Sequence, residues 1–515
     1  MDISFTRSNR NALALAAICL AQLMFALEIS SVPVILATLE KLLHADFKDL
    51  QWIMNAYTIA CTTVLMAAGT LADRYGRKRM FLLSLSVFGV ASLICGLTQS
   101  AALLIAGRFI QGLGGGSMLI CVIAILSSQF KEGAERVKAF GIWGIFLGVG
   151  LGFGPMIGGA IAAFTGWQWV FLIHVPLAVL TFVLSLGSVE ESSDPEAKKL
   201  DLIGIVTLSL AVFGLTYFIT QGSEIGFASR AALGIIAATF VSFIAFVVVE
   251  QINPHPMFDF SVFRIRRFSG AIMGSIGMNF SFWPFIIFLP IFYQTGLHYD
   301  VVTAGLSLLA YTLPTLVVPP VAERLSHRHQ PGIVIPLGMF AIGLGFMLMR
   351  FGATASIASG WTMLPGSLVA GIGLGLTNTP TTNTTTGSVP SNRAGMASGM
   401  DISARLISLA INIAVMGVVL VAGIVDHLRD ALPNTLSAAD LRMLAERVAG
   451  GGSMESLLQH FPVLAQADPS GTILHAALIE GFSWLMLYGG FGVWVLGAVS
   501  FLIFSPHRVG QAVCS

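Results

Sequence analysis

Charge is scarce in this sequence. Asp, Glu, Lys and Arg make up 10% of its 515 residues, apolar side chains 55%, and the mean hydropathy is +0.84. A soluble chain needs about a quarter of its residues charged to dress its surface, so a soluble globular fold is excluded. The net charge of +1 offers no basic footprint for nucleic acid. Cysteine is scarce too. Cys19, Cys61, Cys95 and Cys121 lie inside apolar runs, with no CxxC or Cys/His spacing, so neither a disulfide framework nor a zinc site is indicated. No nucleophile–base set, phosphate loop or metal cluster stands out, which disfavours an enzyme and leaves no cofactor or metal to expect. The first hydrophobic run exceeds a signal peptide's apolar core and lacks a small-residue cleavage site after it, so it reads as a retained span.

Long apolar stretches are what the sequence does have. A bilayer helix needs roughly 20 such residues. Fourteen stretches qualify: 12–37, 51–72, 80–98, 102–127, 138–162, 168–188, 202–221, 231–250, 268–293, 302–322, 332–351, 360–381, 396–425 and 473–504. The expected class is an all-α integral membrane protein. An even count puts both termini on one side, and Lys and Arg tell which. With the N-terminus inside, Arg77, Lys78, Arg79, Arg264, Arg266 and Arg267 all fall on inner turns. The outer side keeps Lys41, Lys48, Arg230, Arg350 and three arginines of one long loop, 426–472. Both termini are therefore expected in the cytoplasm. Within the long loop, Ser437 with Asp440 three residues on, then an apolar stripe and the glycines 450–452, predict a short capped helix and a stop, packed on the outer surface.

A repeat divides the chain. Ala72-Asp73-Arg74 and Ala322-Glu323-Arg324 each occupy an inner turn between the second and third spans of a six-span unit. The expected organisation is a six-helix bundle (1–188), a segment with two inserted helices (189–267) and a second six-helix bundle (268–504). A cytoplasmic tail (505–515) follows. The polar stretch "VEESSDPEAKKLD" (189–201), broken at Pro195, marks the seam. Duplicated bundles of this kind place substrate sites at their interface near the bilayer midplane.

Six motifs carry a resemblance: "GTLADRYGRKR" (69–79), "RFIQGLGGG" (108–116), "GVGLGFGPMIGG" (148–159), "WQWVFLIHVPLA" (167–178), "LPIFYQ" (289–294) and "NRAGMASG" (392–399). Through them the chain closely resembles the major facilitator superfamily, specifically its fourteen-helix drug:proton antiporter family (the EmrB/QacA type), over essentially its whole length. The resemblance implies the superfamily's fold and proton-coupled export of amphipathic, cationic or neutral compounds from a bacterial inner membrane by alternating access. Protons, a small molecule and the bilayer are the implied partners of a monomer, and some exporters of this family work with a periplasmic adaptor and an outer-membrane channel. Export of one metabolite, such as a siderophore or fatty acid, would use the same machinery. A non-transporting sensor is the reading from another class.

The motifs also make physical sense. Gly69 permits close helix approach and Gly76 a turn that other residues take at a cost. Asp73 can pair with an arginine, for which Arg136 in the next inner loop is a candidate; Arg74 is a further charge of the turn, while Arg77, Lys78 and Arg79 face an anionic leaflet. The resemblance gives this turn the role of a latch. In the fifth span, Gly144, Gly148 and Gly152 recur every four residues and leave one face bare. Gly154 and Pro155 predict a bend, and Gly158 and Gly159 complete a motif that the resemblance links to sealing an exporter's cavity.

Three ionisable groups lie deep. Glu28 is the one ionisable residue of its apolar run, about ten residues from the outer end, thus roughly 15 Å down. Arg108 and His174 each lie some six residues into spans that begin outside, roughly 9 Å down. A Glu28–Arg108 contact is geometrically allowed. Burial disfavours a carboxylate and a nearby cation favours it, so a carboxyl alternating between such environments would load and release a proton. Glu28, Arg108 and His174 are the candidate proton-coupling residues. The family more often places aspartate at the first position and asparagine at the third, and spans 268–322 hold no acid between Arg267 and Asp300. Asn279 and Trp283 are candidate substrate contacts, Met and aromatic faces being suited to promiscuous binding, and the resemblance implies that the first, fourth and tenth spans line a central cavity, which adds Glu28, Gln111 and Tyr311. "TNTPTTNTTTGSVP" (377–390) reads as a polar loop.

Overall fold

A computed structural model describes residues 7–130, 134–193, 201–253, 260–355, 358–389, 394–432, 436–451 and 454–504. Pro195, Arg393, Gly452 and the tail 505–515 lie outside them, as does the side chain of Arg136.

Each of the fourteen apolar stretches is helical. They are α1 (Arg7–Ser31), α2 (Phe47–Tyr75), α3 (Arg77–Leu97), α4 (Ala101–Gln129) and α5 (Ala134–Thr165). Next come α6 (Gln168–Leu172, then His174–Ser188), α7 (Leu202–Ile225), α8 (Arg230–Ile252) and α9 (Arg266–Phe280, then Phe282–Ile291). The last five are α10 (Val301–Thr312, Pro314–Val317 and Pro319–His329), α11 (Pro331–Ala353), α12 (Gly360–Gly387), α13 (Ala394–Ala431) and α14 (Thr472–Phe504). By length and apolarity eleven described helices can cross a membrane, or up to thirteen when each of two bent pairs counts as one span. A chain of this kind must satisfy its backbone within each helix, because lipid offers no partner.

Local chemistry sets the helix starts. Asp46 and Asp49 form a reciprocal capping box before α2, with bonds of 2.8 and 3.2 Å. Asp300 accepts from the Val302 and Thr303 amides at 2.9 and 3.0 Å before α10. The Thr303 hydroxyl, which donates to Asp300 Oδ2 at 2.6 Å, and then these amides hold the Asp300 carboxyl below its usual range. The capped helix expected in the long loop is Ala438–Gly450, whose Ser437 accepts from the Asp440 amide and whose end is Gly451 in the left-handed region. It buries Leu441, Leu444 and Val448.

The stretch 377–390 is not a loop up to its end. α12 runs through it to Gly387, because the threonine hydroxyls bond back to carbonyls one turn earlier. Thr377 donates to Gly373 at 2.9 Å, Thr385 to Thr381 at 3.0 Å and Thr386 to Thr382 at 2.8 Å. Side-chain polarity is satisfied inside the helix.

Among the described residues two large cores and two small clusters hold the helices, one of the small ones joining Leu208, Val212 and Phe246 of α7 and α8 to Ile59 of α2 and Ala410 of α13. Met24, Phe81, Phe88, Met118 and Val122 pack within the first six. A larger core takes Phe285, Phe288, Met339 and Phe346 of the second bundle together with Val34, Ile53 and Phe171 of the first. The first six helices and the last six are thus joined through residues of α2, α6 and the 3-10 turn Val32–Ile35 that follows α1, near one end of the molecule.

Candidate functional site: a buried acid–base centre

Five helices converge on Glu28. It projects from α1, and no part of Glu28, Arg108 or His174 is exposed. Arg108, from α4, places Nη1 in contact with Oε1 of Glu28 as a buried ion pair. On the other carboxylate oxygen, Oε2, His174 Nε2 from α6 stands 2.9 Å away. The same guanidinium donates from Nε to the Ile53 carbonyl of α2 at 3.0 Å and from Nη1 to Gln111 Oε1 at 2.8 Å. Gln111 in turn donates to Ser92 Oγ of α3 at 2.9 Å. Phe88 presents its ring edge-on to His174 at 5.5 Å, and Arg108 lies 4.4 Å over the centre of Tyr57. A carboxylate taken from water at several kcal/mol is here offset mainly by the Arg108 guanidinium, whose Nε and Nη1 are hydrogen-bonded while its Nη2 has no partner among the described residues.

Tyr57 links this centre to a small cavity between the bundles. The cavity, about 20 Å³, is bounded by Phe25, Ile29, Met54 and Tyr57 on one side and by Trp283 and Leu409 on the other. Of the candidate substrate contacts, Trp283 lines it. The others are placed differently. Gln111 belongs to the Arg108 network. Asn279 donates to Ser275 of its own helix at 2.9 Å. Tyr311 stacks on Phe282 at 3.9 Å and donates to the Phe282 carbonyl at 2.9 Å.

A second buried carboxylate, which the sequence reading passed over, lies in the second bundle. Asp401 of α13 accepts from Arg405 Nε at 3.1 Å, from Thr382 at 3.2 Å and from Ser275. Arg405 also reaches Thr382 Oγ1 at 2.8 Å and contacts Asn378 Oδ1. The i,i+4 spacing of Asp401 and Arg405 within an apolar span was its available signal.

At the inner turn, Asp73 accepts from Arg77 Nε at 2.9 Å. Gly76 takes a φ of 111°. Glu191 closes the start of α3, accepting from the Lys78 amide at 3.0 Å and the Arg79 amide at 3.2 Å, a carboxylate at the positive end of a helix. Glu191 was not anticipated.

The glycines of α5 serve two faces where one was expected. A Cβ at Gly154 would lie 1.8 Å from Ser30 Oγ, and one at Gly158 would lie 2.4 Å from Ser31 Cβ, so this face meets α1. Ser30 seals it by donating to the Gly150 carbonyl at 2.8 Å. The other face meets α10: Gly148 lies against Leu316 and Gly159 against the Val301 carbonyl, and Thr312 donates to the Gly152 carbonyl at 2.6 Å. Gly144 has no neighbour within 4 Å of its would-be Cβ, so the expected stripe starts at Gly148. The helix continues unbroken through Pro155.

The family model of the Major Facilitator Superfamily matches residues 18–413. The multidrug resistance protein Stp of Mycobacterium tuberculosis is 32% identical over 426 residues, 82% of this chain and 79% of that protein. The tetracenomycin C resistance and export protein of Streptomyces glaucescens is 28% identical over 501 residues, 94% of this chain and 90% of its own. Among solved structures, a bacterial homolog of the human lysosomal transporter Spinster, inward-facing and unoccupied, superposes with a TM-score of 0.67. It is 16% identical and covers 96% of this chain and 97% of that one, a likeness of fold.

Proposed function

The chain belongs to the Major Facilitator Superfamily, and from that membership we propose that it is a proton-coupled exporter of amphipathic small molecules. It is a multi-pass membrane protein whose relatives are named for drug resistance and export, and the reading places it in a bacterial inner membrane with both termini inside. A transporter of this kind works by alternating access, its two bundles rocking about a site at their interface.

The observation that carries the reading is the Glu28 carboxylate, fully buried, with Arg108 on one oxygen and His174 on the other. A proton arriving from outside converts the carboxylate to the neutral acid and loosens its hold on Arg108. Rocking then exposes the centre inward, where the re-formed ion pair expels the proton. The Asp73–Arg77 turn with its Glu191 cap serves as the inner latch. The two glycine faces of α5 keep α1 and α10 close enough to exclude leaks.

The test is substrate-induced proton movement in proteoliposomes, comparing wild type with Glu28→Gln, which keeps the size and removes the charge. The variant is expected to bind substrate but lose uphill export and its coupled proton flux. A variant that pumps its substrate uphill with normal coupling would show that Glu28 is not the proton site.

A further inference from the structure

Among the described residues, two carboxylates are buried within the helices of the two bundles, Glu28 and Asp401, and each has an arginine of its own. Neither presents an unbalanced negative charge to the cavity between the bundles. The cavity wall itself is apolar and aromatic, with Phe25, Ile29, Met54, Trp283 and Leu409. Its polar groups are turned away. Thr58 donates to its own helix at the Met54 carbonyl, 3.1 Å away. The Tyr57 hydroxyl points at Gly115 of α4, 2.7 Å from where a Cβ would sit, so only its ring faces the cavity.

Resting on the exporter reading, we infer that the substrates are uncharged, apolar and aromatic molecules and that permanent organic cations are excluded. A lipophilic cation seated between these walls once the bundles part would lose its hydration and find no carboxylate, and ring faces offset only part of that cost. Direct competition between a cation and a proton for Glu28 would need the carboxylate to face the substrate. Instead Glu28 does not line the cavity, whereas the Tyr57 ring does, with Arg108 stacked on it. Protonating Glu28 sharpens the exclusion, because Arg108 then stands uncompensated behind that ring. Met and aromatic walls adapt to apolar surfaces of many shapes, so the selection acts on charge more than on outline.

The experiment uses two probes, neutral N-phenyl-1-naphthylamine and the permanent cation tetraphenylphosphonium, in proteoliposomes with an imposed pH gradient. The neutral probe is expected to be exported with kcat/KM at least about tenfold above that of the cation. In detergent the naphthylamine is expected to bind with a rise in fluorescence that tetraphenylphosphonium does not reverse. Leu409→Asp, which sets an unpaired acid in the wall, should narrow or invert the preference. Coupled export of the cation at the rate of the neutral probe, or its displacement of bound naphthylamine, would overturn the inference and leave the exporter reading intact. Should neither probe bind or move in wild type, the exporter reading and this inference fall together.

Discussion

The Glu28 carboxylate holds a different cationic or cationisable group on each oxygen, and its partners can be tested separately. Arg108→Ala leaves a buried carboxylate with one partner fewer. Removal of one member of a buried pair typically costs about 3–5 kcal/mol, so thermal unfolding in detergent should show a loss of that order. Arg108→Lys should restore little, because a point charge cannot bond the Ile53 carbonyl, Gln111 and Glu28 and also stack on Tyr57. Full recovery by lysine would argue that charge alone matters. Tyr57→Phe keeps the ring between Arg108 and the cavity and should transport near normally, since its hydroxyl faces Gly115. Tyr57→Leu removes the stacked ring, and the protons moved per substrate should fall. An unchanged ratio would separate the ring from coupling. Glu28, Arg108 and His174 were legible because charge deep in an apolar run has few explanations. Their pairing was not, since helix boundaries uncertain by a turn let any two meet. Gln111 and Asn279 carry no charge, and nothing in the sequence says which way an amide points.

The fifth helix shows what an element adds to its residues. Its glycines recur every four positions in two registers, 150/154/158 toward α1 and 148/152 toward α10. The sequence displays both registers but not which neighbour each meets. Space predicts an order of tolerance. Gly152→Ala has 3.9 Å to the Thr312 carbonyl and should be mild. Gly148→Ala presses on the flexible end of Leu316 at 2.5 Å and should be intermediate. Gly154→Ala strikes Ser30, whose hydroxyl is committed to two carbonyls, and should be severe. Export rates in proteoliposomes and melting temperatures should follow that order; a Gly154→Ala protein as active as Gly152→Ala would mean that α1 and α5 need not touch. Helix positions themselves were readable from apolar run length. α12 past Thr377 was not, because polarity alone does not distinguish a loop from a helix whose hydroxyls bond back to their own carbonyls.

At the scale of the molecule, the bundles meet mainly at the end opposite the Asp73 turn. Gln294 of the second bundle donates to the Val34 carbonyl of the first at 2.8 Å, and α10 lies along α5 from Val301 to Leu316. At the other end the bonds described lie within each bundle, Asp73 to Arg77 and Asn383 to Glu323 at 2.7 Å. The turns that follow the two short motifs each use a positive φ, 111° at Gly76 and 70° at Gln330. Which ends touch depends on a balance between conformations that no local pattern encodes. A Cβ at Gly148 would lie 3.9 Å from the Leu316 Cβ, within disulfide range. The pair Gly148→Cys and Leu316→Cys should therefore arrest export on oxidation and recover it on reduction. Undiminished export by the cross-linked protein would rule out rocking at this seam. The two arginine-matched acids carry one more consequence, an electrical one. With Glu28 ionised, the centres Glu28–Arg108 and Asp401–Arg405 are each neutral, so on the proposed antiport cycle the substrate-loaded return drags no net charge of these centres through the membrane field. On that cycle the potential acts on the proton alone, contributing about 2.3 kcal/mol per 100 mV, and export of the uncharged substrate proposed above would draw on voltage as well as on the pH gradient.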